Sequence, residues 1–367
     1  MIRRVAVLGA GIGGQHVDGL LENTDRFAVH TVCDLDEARA AAEAERAGAT
    51  VTTDIAAVIA DPAVDIVDIC LPPMMHVPVA LDALAAGKHV VLEKPIAGSL
   101  VDVDRLVAAE AASPGRIFPV FQYRFGPAVR ALAAFGAANL LGRPQVAALE
   151  THWTRGADYY AIAWRGTWAR EMGGAVLSHA IHAHDLLTLA FGPVADVSAM
   201  LDTRINPIET EDCAAIAMRM ENGALATSSI TLGAADNRSR MRLVFEHLTA
   251  ESDTLPYAPA EGTWTYTARD PARQAEVDAV LAALVPQPDR YAGYFGAIAD
   301  TLDGEIGTAP TLDSGPKSLL PTLADGAASI ELVSAIYHAH RTGARVPLPL
   351  DRSLPIAQSL TPPLETA

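Results

Sequence analysis

The chain has 367 residues, 50 % hydrophobic and 19 % charged, with 27 Lys and Arg against 44 Asp and Glu. That length supports two domains with hydrophobic cores, and that balance excludes a disordered chain. A formal charge of -17 argues against nucleic acid as a partner, and no apolar run approaches the roughly 20 residues of a membrane span.

The start, Met1-Ile2-Arg3-Arg4, invites comparison with a twin-arginine export signal. Val5-Ala6-Val7-Leu8-Gly9 reads instead as a short strand entering a glycine turn, with no longer apolar stretch or cleavage site. The expected location is the cytoplasm. Cys33, Cys70 and Cys213 are odd in number and too far apart for a CxxC pair, as for buried free thiols in a reducing compartment.

Residues 1–122 alternate strands with Ala-rich helices. Strands are expected at Arg4–Leu8, Ala28–Cys33, Val64–Cys70, His89–Leu92 and Ile117–Phe121. Helices are expected at Gln15–Leu21, Asp36–Ala47 and Val77–Ala86. Strands apolar on both faces and joined by helices predict an α/β fold with a doubly wound parallel sheet. Before Phe118 the only aromatic is Phe27, whereas all four Trp and all eight Tyr come later.

The second part, 123–350, carries longer alternating segments at Gln145–Trp153, Val194–Thr203, Cys213–Met220, Leu225–Leu232 and Met241–Glu246. Asn222-Gly223 is a hairpin signal between two of them. These predict a large, mainly antiparallel sheet. Thr254–Ala272, with Pro and Gly, reads as an inserted loop, and Ser353–Ala367 as a surface tail within a final segment 351–367.

Gly9-Ala10-Gly11-Ile12-Gly13-Gly14 follows the first strand and opens a helix. Gly9 suits the tight turn, Gly11 the approach of a pyrophosphate, and Gly14 the packing of helix on sheet, with Ile12 inside the turn. Asp34 ends the second strand twenty residues later, where a carboxylate accepts from the adenosine ribose. It reads equally well as the N-cap of a helix from Leu35. A carboxylate there favours NAD over NADP, and Arg39 in the next helix turn softens that preference.

Lys88-His89-Val90-Val91-Leu92-Glu93-Lys94-Pro95 resembles a signature of the glucose–fructose oxidoreductase / inositol dehydrogenase / MocA family. So do Leu71-Pro72-Pro73 with His76, Gln122-Tyr123-Arg124-Phe125, Leu141-Gly142, Gly173-Gly174 with His182 and Asp185, and Val346-Pro347-Leu348-Pro349. The resemblance runs from residue 3 to about 350. It implies a Rossmann domain followed by an α/β domain whose open sheet mediates dimers or tetramers. It also implies hydride transfer between a nicotinamide and a secondary alcohol of a sugar or cyclitol. Lys94 falls on the family's active-site lysine, with Glu93 and Pro95 positioning it through a cis Lys94–Pro95 bond. Pro72, His76, Glu93 and Lys94 join the cofactor-binding set. Oxidising CH–OH needs a base, and a buried lysine beside a cationic nicotinamide has its pKa pushed down towards a useful value.

Gly173 to Leu187 reads as a helix after a glycine pair. Ser178, His182 and Asp185 share one face at 3.6 residues per turn, with His179 on the flank. A metal site is an alternative, but only part of the set shares a face and no HExxH is present, so no metal is expected. The resemblance places His182 on the catalytic histidine and Asp185 on a substrate-contacting position. Inositol dehydrogenase-like members carry Asp where this chain has Ser178, and serine cannot raise the basicity of the histidine. Lys94 is therefore read as the main acid/base and His182 as partner to the reacting oxygen. Tyr123, Arg165 and His179 complete the expected substrate set. His152–Arg155 and Tyr159–Arg165 combine aromatics with arginines, as for a pyranose site or a packed loop.

The leading function is NAD-dependent sugar or cyclitol dehydrogenation. The alternatives are an NAD-retaining glycosidase or lyase working through transient oxidation, and a non-catalytic cofactor-binding sensor.

Overall fold

The computed structural model describes residues 2–304 and 319–362. Six strands, β1 (Arg3–Leu8), β2 (Phe27–Cys33), β3 (Thr50–Thr52), β4 (Ile66–Ile69), β5 (His89–Leu92) and β6 (Ile117–Pro119), form a parallel sheet in the order β3-β2-β1-β4-β5-β6. Val5, Val7, Leu8, Val67, Ile69, Val90, Val91 and Leu92 are fully buried, because helices cover both faces. The order reverses between β1 and β4, which opens a crevice beyond their carboxyl ends. Gly9 and Cys70 face each other there. At φ +93° Gly9 lets the turn pass so close that a Cβ would lie 2.5 Å from the Cys70 carbonyl oxygen.

Eight strands make the second sheet: β7 (Pro144–Thr154), β8 (Val194–Asp202), β9 (Cys213–Met220), β10 (Leu225–Thr231), β11 (Gly233–Phe245), β12 (Leu248–Ser252), β13 (Trp264–Ala268) and β14 (Val346–Pro347). Their order is β13-β12-β11-β7-β10-β9-β8-β14. Every pairing is antiparallel except β7 with β10. The Asn222-Gly223 turn joins β9 to β10, with Gly223 at φ +89°. Alternate residues of β9 and β10 are buried against helices while Ala215, Ala217, Thr227 and Ser229 stay exposed, so one broad face is open.

Three expectations need correction. Thr254–Ala272 is not all loop: Trp264-Thr265-Tyr266-Thr267-Ala268 alternates aromatic and β-branched residues and pairs with β12 as the sheet edge. The end is not a free tail, since Ile356, Ala357 and Leu360 are buried and Arg341 donates to the Leu360 carbonyl; residues 363–367 lie outside the described residues. Cys213 is only partly buried, unlike Cys33 and Cys70.

The first sheet is finished by chain from far downstream. Helix Arg290–Leu302 packs on helix Gly13–Leu21, where a Cβ on Gly19 would lie 2.6 Å from Tyr291. Tyr291, Tyr294, Phe295 and Ile298 join Val5, Val7, Val17 and Leu20 in one cluster. Each such side chain contributes about 1.5–3 kcal/mol through burial. Helix Leu323–Thr342 starts at a Thr322/Asp325 capping box and ends at Gly343 in the left-handed region. It packs on β6 and β8 and so ties the two sheets together.

Candidate active site

The glycine turn occupies the crevice as expected, with one change. Gly11 leaves open space where a Cβ would stand, as a backbone approached by a ligand requires. The close approach of helix to strand falls on Gly13, whose Cβ would lie 2.9 Å from Val7, whereas Gly14 faces the flexible end of Glu43. Ile12 is part-exposed at the helix start. Asp34 accepts from the Ala10 amide at 2.7 Å and the Asp36 amide at 2.9 Å, which braces the turn. The N-cap of the next helix is Asp36, not Asp34. Arg39 is half-exposed, bonded to Asp36 and 3.9 Å from Asp34.

Strand β5 runs into Glu93-Lys94-Pro95, and the Lys94–Pro95 peptide is cis. Glu93 is buried and accepts from the Lys94 amide at 2.9 Å, from Tyr291 at 3.3 Å and from His16 Nε2 at 3.2 Å. His16 Nδ1 lies 3.0 Å from both oxygens of Asp68. Burial works against a charged His16, but the carboxylate of Asp68 overrides it and lifts the imidazole well above its ordinary range. Burial likewise opposes ionised Glu93, yet the His16 hydrogen bond and charge hold it down to about 2. The result is a buried Asp68–His16–Glu93 row under the Lys94 loop. His16, Asp68 and Cys70 also converge closely enough to invite a metal. Their geometry is that of a hydrogen-bonded set instead: the protonated thiol donates to Asp68 at 3.6 Å, and burial pushes it further from ionising. His76 is buried with its ring nitrogens 2.7 Å from the Pro95 and Leu71 carbonyls, pinning the turn after β4 to the Lys94 loop, and part-buried Pro72 opens that turn.

Lys94 Nζ donates to the Ser178 carbonyl at 2.9 Å. Burial pulls its pKa below the ordinary lysine value; Glu93 opposes this and Arg165 adds to it. Ser178 lies in a wide helical turn, Val176–Ala180, that precedes helix Ile181–Phe191. Such π-type turns recur at functional sites. Its N-terminal amides at Gly174 and Val176 donate to the buried Glu211 carboxylate, at 3.1 and 3.0 Å. This explains the glycine pair: a Cβ on Gly174 would lie 2.0 Å from the Glu211 carbonyl oxygen.

Ser178 bonds to the Gly174 carbonyl and to His179 Nδ1 at 2.7 Å, not to His182. Asp185 does not reach the site: it is buried in a two-pronged pair with Arg124, at 2.8 and 2.6 Å. Its expected place among the substrate contacts is corrected on that ground. His182 stacks on Tyr123 with ring centres 4.4 Å apart. Its pKa is pushed down to about 3 by burial and then by Lys94. Neither of its ring nitrogens has a hydrogen-bond partner among the described residues, and Nδ1 is buried. His179 Nε2 lies 3.1 Å from the Tyr159 hydroxyl, which also takes a bond from Arg165. Burial, then Lys94, Arg155 and Arg165, hold His179 well below the usual imidazole range. Lys94, His179, His182, Tyr123 and Arg165 are thus brought together. Glu171, Arg155 and Tyr159 stand beside them; Arg155 and Tyr159 fall in the segments read as a pyranose site or a packed loop, whereas nothing in the sequence marked Glu171. A separate apolar cavity between Val129, Leu132, Leu186, Leu189 and Trp264 holds none of these polar groups.

Comparison with known proteins decides the affiliation. Residues 3–121 match "Oxidoreductase family, NAD-binding Rossmann fold", and residues 129–251 match "GFO/IDH/MocA C-terminal domain". The chain belongs to the Gfo/Idh/MocA oxidoreductase family. It is similar to a myo-inositol 2-dehydrogenase of Thermotoga maritima, 27 % identical over 65 % of this chain and 69 % of that protein. In structure it is similar to the WlbA dehydrogenase from Bordetella pertussis in complex with NADH and UDP-GlcNAcA, with TM-score 0.80, 26 % identity, and coverage of 96 % of this chain and 100 % of that one. A levoglucosan dehydrogenase in complex with NADH shares the fold at TM-score 0.77 and 20 % identity, over 96 % of this chain and 100 % of that one. Its curated relatives match over 32–71 % of their own lengths.

As a Gfo/Idh/MocA member this protein is an NAD-binding oxidoreductase. The crevice fits the dinucleotide: Gly11 is open, Asp34 stands at the end of β2, and Lys94 stands at the end of β5. Among the described residues no helix is long and apolar enough to cross a membrane.

Proposed function

We propose that this protein is an NAD-dependent dehydrogenase acting on a secondary hydroxyl of a sugar, sugar derivative or cyclitol. The observation that carries the reading is the pairing of a part-buried, pKa-lowered Lys94 with His182, a buried imidazole that lacks a hydrogen-bond partner among the described residues. A ligand hydroxyl seated between them satisfies both groups.

NAD, when bound, supplies the hydride acceptor. The chain's own residues do the rest. Lys94, whose pKa burial lowers below the ordinary lysine value, takes the hydroxyl proton. His182 is neutral at working pH and holds the reacting oxygen by a hydrogen bond, so it orients rather than titrates. Glu93 fixes the Lys94 backbone, and the Asp68–His16 pair fixes Glu93. Tyr123 supports the His182 ring by stacking. His179, Tyr159 and Arg165 form the hydrogen-bonding wall beyond it.

The similarity to inositol and sugar-nucleotide dehydrogenases supports a polyhydroxylated substrate. The open face of the second sheet supports assembly as a homodimer or homotetramer. Free thiols and an NAD requirement fit the cytoplasm. The test is a screen of monosaccharides, inositols, anhydrosugars and glycosides with NAD, read by absorbance of the reduced nicotinamide. Net NADH with an oxidised sugar supports the proposal. Aglycone release without net NADH supports a glycosidase or lyase, and binding without turnover supports a sensor.

A further inference from the structure

The cleft is rich in cations, although the chain as a whole carries -17. Lys94, Arg155 and Arg165 all act on His179, so their charges converge on one space. Several arginines elsewhere sit on carboxylates, Arg124 on Asp185 at 2.6 Å, Arg352 on Glu331 at 2.7 Å and Arg3 on Asp303 at 2.6 Å, whereas Arg341 lies over Trp168 and Tyr337 and donates to the Leu360 carbonyl. Among the described residues Arg155 has no carboxylate within 4.0 Å, and Arg165 has only Glu171 at 3.8 Å. Burial pushes the Glu171 carboxyl above its ordinary value, while the Gly166 amide, Arg165 and Lys94 oppose that shift.

Both guanidiniums are nevertheless held in place. Arg155 lies over the rings of Trp153, Tyr159 and Tyr257 at 5.2, 5.1 and 5.2 Å. Arg165 lies over Tyr159 at 3.9 Å and Trp164 at 4.4 Å. The Nε atoms of both arginines are buried and unpaired. Two like charges fixed over one tyrosine, beside a third on Lys94, repel one another in a partly dehydrated site. Bound oxidised nicotinamide adds a further positive charge. Such an arrangement is stabilised by a ligand anion, and guanidiniums are suited to a carboxylate or phosphate.

Resting on the dehydrogenase reading above, we infer that the substrate is an anionic sugar whose carboxylate or phosphate is held by Arg155 and Arg165 while its secondary hydroxyl meets Lys94 and His182. The anion fixes which hydroxyl reaches Lys94, so the arginines determine specificity rather than carry out the chemistry.

The experiment compares kcat/KM with NAD for hexuronates, hexose phosphates and the matching neutral hexoses. It also titrates each compound into the NADH-loaded protein by calorimetry. The expected result is a preference of about 100-fold for one anionic class over its neutral counterpart. Arg155→Gln and Arg165→Gln should each cut that ratio about tenfold, and Arg165→Lys, which keeps the charge, should retain most of it. The uronate and phosphate arms tell which anion is read. A ratio near one in the wild type, or a ratio untouched in both Gln variants, overturns the inference. Arginine-dependent binding of the anionic sugars without any NADH production upholds the inference and overturns the dehydrogenase reading. Neutral sugars oxidised as fast as anionic ones overturn the inference and uphold that reading.

Discussion

Lys94 reaches across the two sheets' boundary to donate its ammonium to the Ser178 carbonyl, 2.9 Å away. One end of the pair sits just past β5 of the dinucleotide-binding sheet and the other on the wide turn that leads to His182. The bond closes the cleft between them and sets the height of the amine above the crevice. It also stabilises the charged amine, whereas burial, the larger effect, favours the neutral one. The proposed base therefore titrates below the ordinary lysine value of 10.5. The pH dependence of kcat/KM should show a single rise as this one group loses its proton, with an apparent pKa below the ordinary lysine value. His182, held to about 3, should contribute no ionisation near pH 6–7. A rise with an apparent pKa near 6.5 that disappears in His182→Ala would assign the base to the histidine.

Asp34 stands at the end of β2, where it braces the glycine turn through the Ala10 amide. Its carboxylate accepts from a free ribose hydroxyl and repels a 2′-phosphate, so NAD should bind more tightly than NADP. Asp34→Ser should narrow the ratio of the two dissociation constants by at least about tenfold, a change of about 1.4 kcal/mol. Fluorescence titration with NADH and NADPH checks it. Tighter binding of NADPH by the wild type would contradict the assignment.

Asp185 and Arg124 form a buried pair, both 3 % exposed. Removing Asp185 strips the guanidinium of its two-pronged partner and leaves it only Asp325, 3.2 Å away, where a fully unpaired buried charge typically costs about 3–5 kcal/mol. Asp185→Ala should therefore lower the urea midpoint sharply. If Asp185 instead touched substrate, the variant would keep its stability and raise KM.

Glu211 is pushed up to about 7 by burial, which outweighs its bonds from Val176, Tyr337 and Gly174. A carboxyl whose folded pKa exceeds its unfolded one favours folding in its protonated form. That contribution is complete below about 4.5 and is lost as pH rises through about 7. Denaturation midpoints should fall between pH 5 and 8.5 in the wild type, and the slope should flatten in Glu211→Gln. An unchanged slope in the variant would place the titration elsewhere.

Local patterns were legible in the chain itself. The glycine turn, Asp34 and Glu93-Lys94-Pro95 stand where short local patterns put them, beyond the ends of β1, β2 and β5, and alternation marked most strands of the second sheet. Pairings across long separations were not. His16 meets Asp68 and Glu93 from 52 and 77 residues away, and Asp185 meets Arg124 from 61. No spacing rule links such positions. The wide turn at Val176–Ala180 departs from 3.6 residues per turn, and no local pattern in the sequence marks it. Strand β13 was hidden by its Pro- and Gly-containing flanks, although Trp264–Ala268 alternates as a strand should.

The central claim is that Lys94 takes the proton while the glycine turn and Asp34 hold the dinucleotide. The direct measurement is steady-state turnover, paired with NAD titration, for Lys94→Ala and His182→Ala. General-base catalysis contributes roughly 10²–10⁴ in rate, so Lys94→Ala should lose turnover by that order while binding NAD nearly as before. His182→Ala should lose less. Near-normal turnover in Lys94→Ala, or a dead His182→Ala beside a merely weakened Lys94→Ala, would contradict the account.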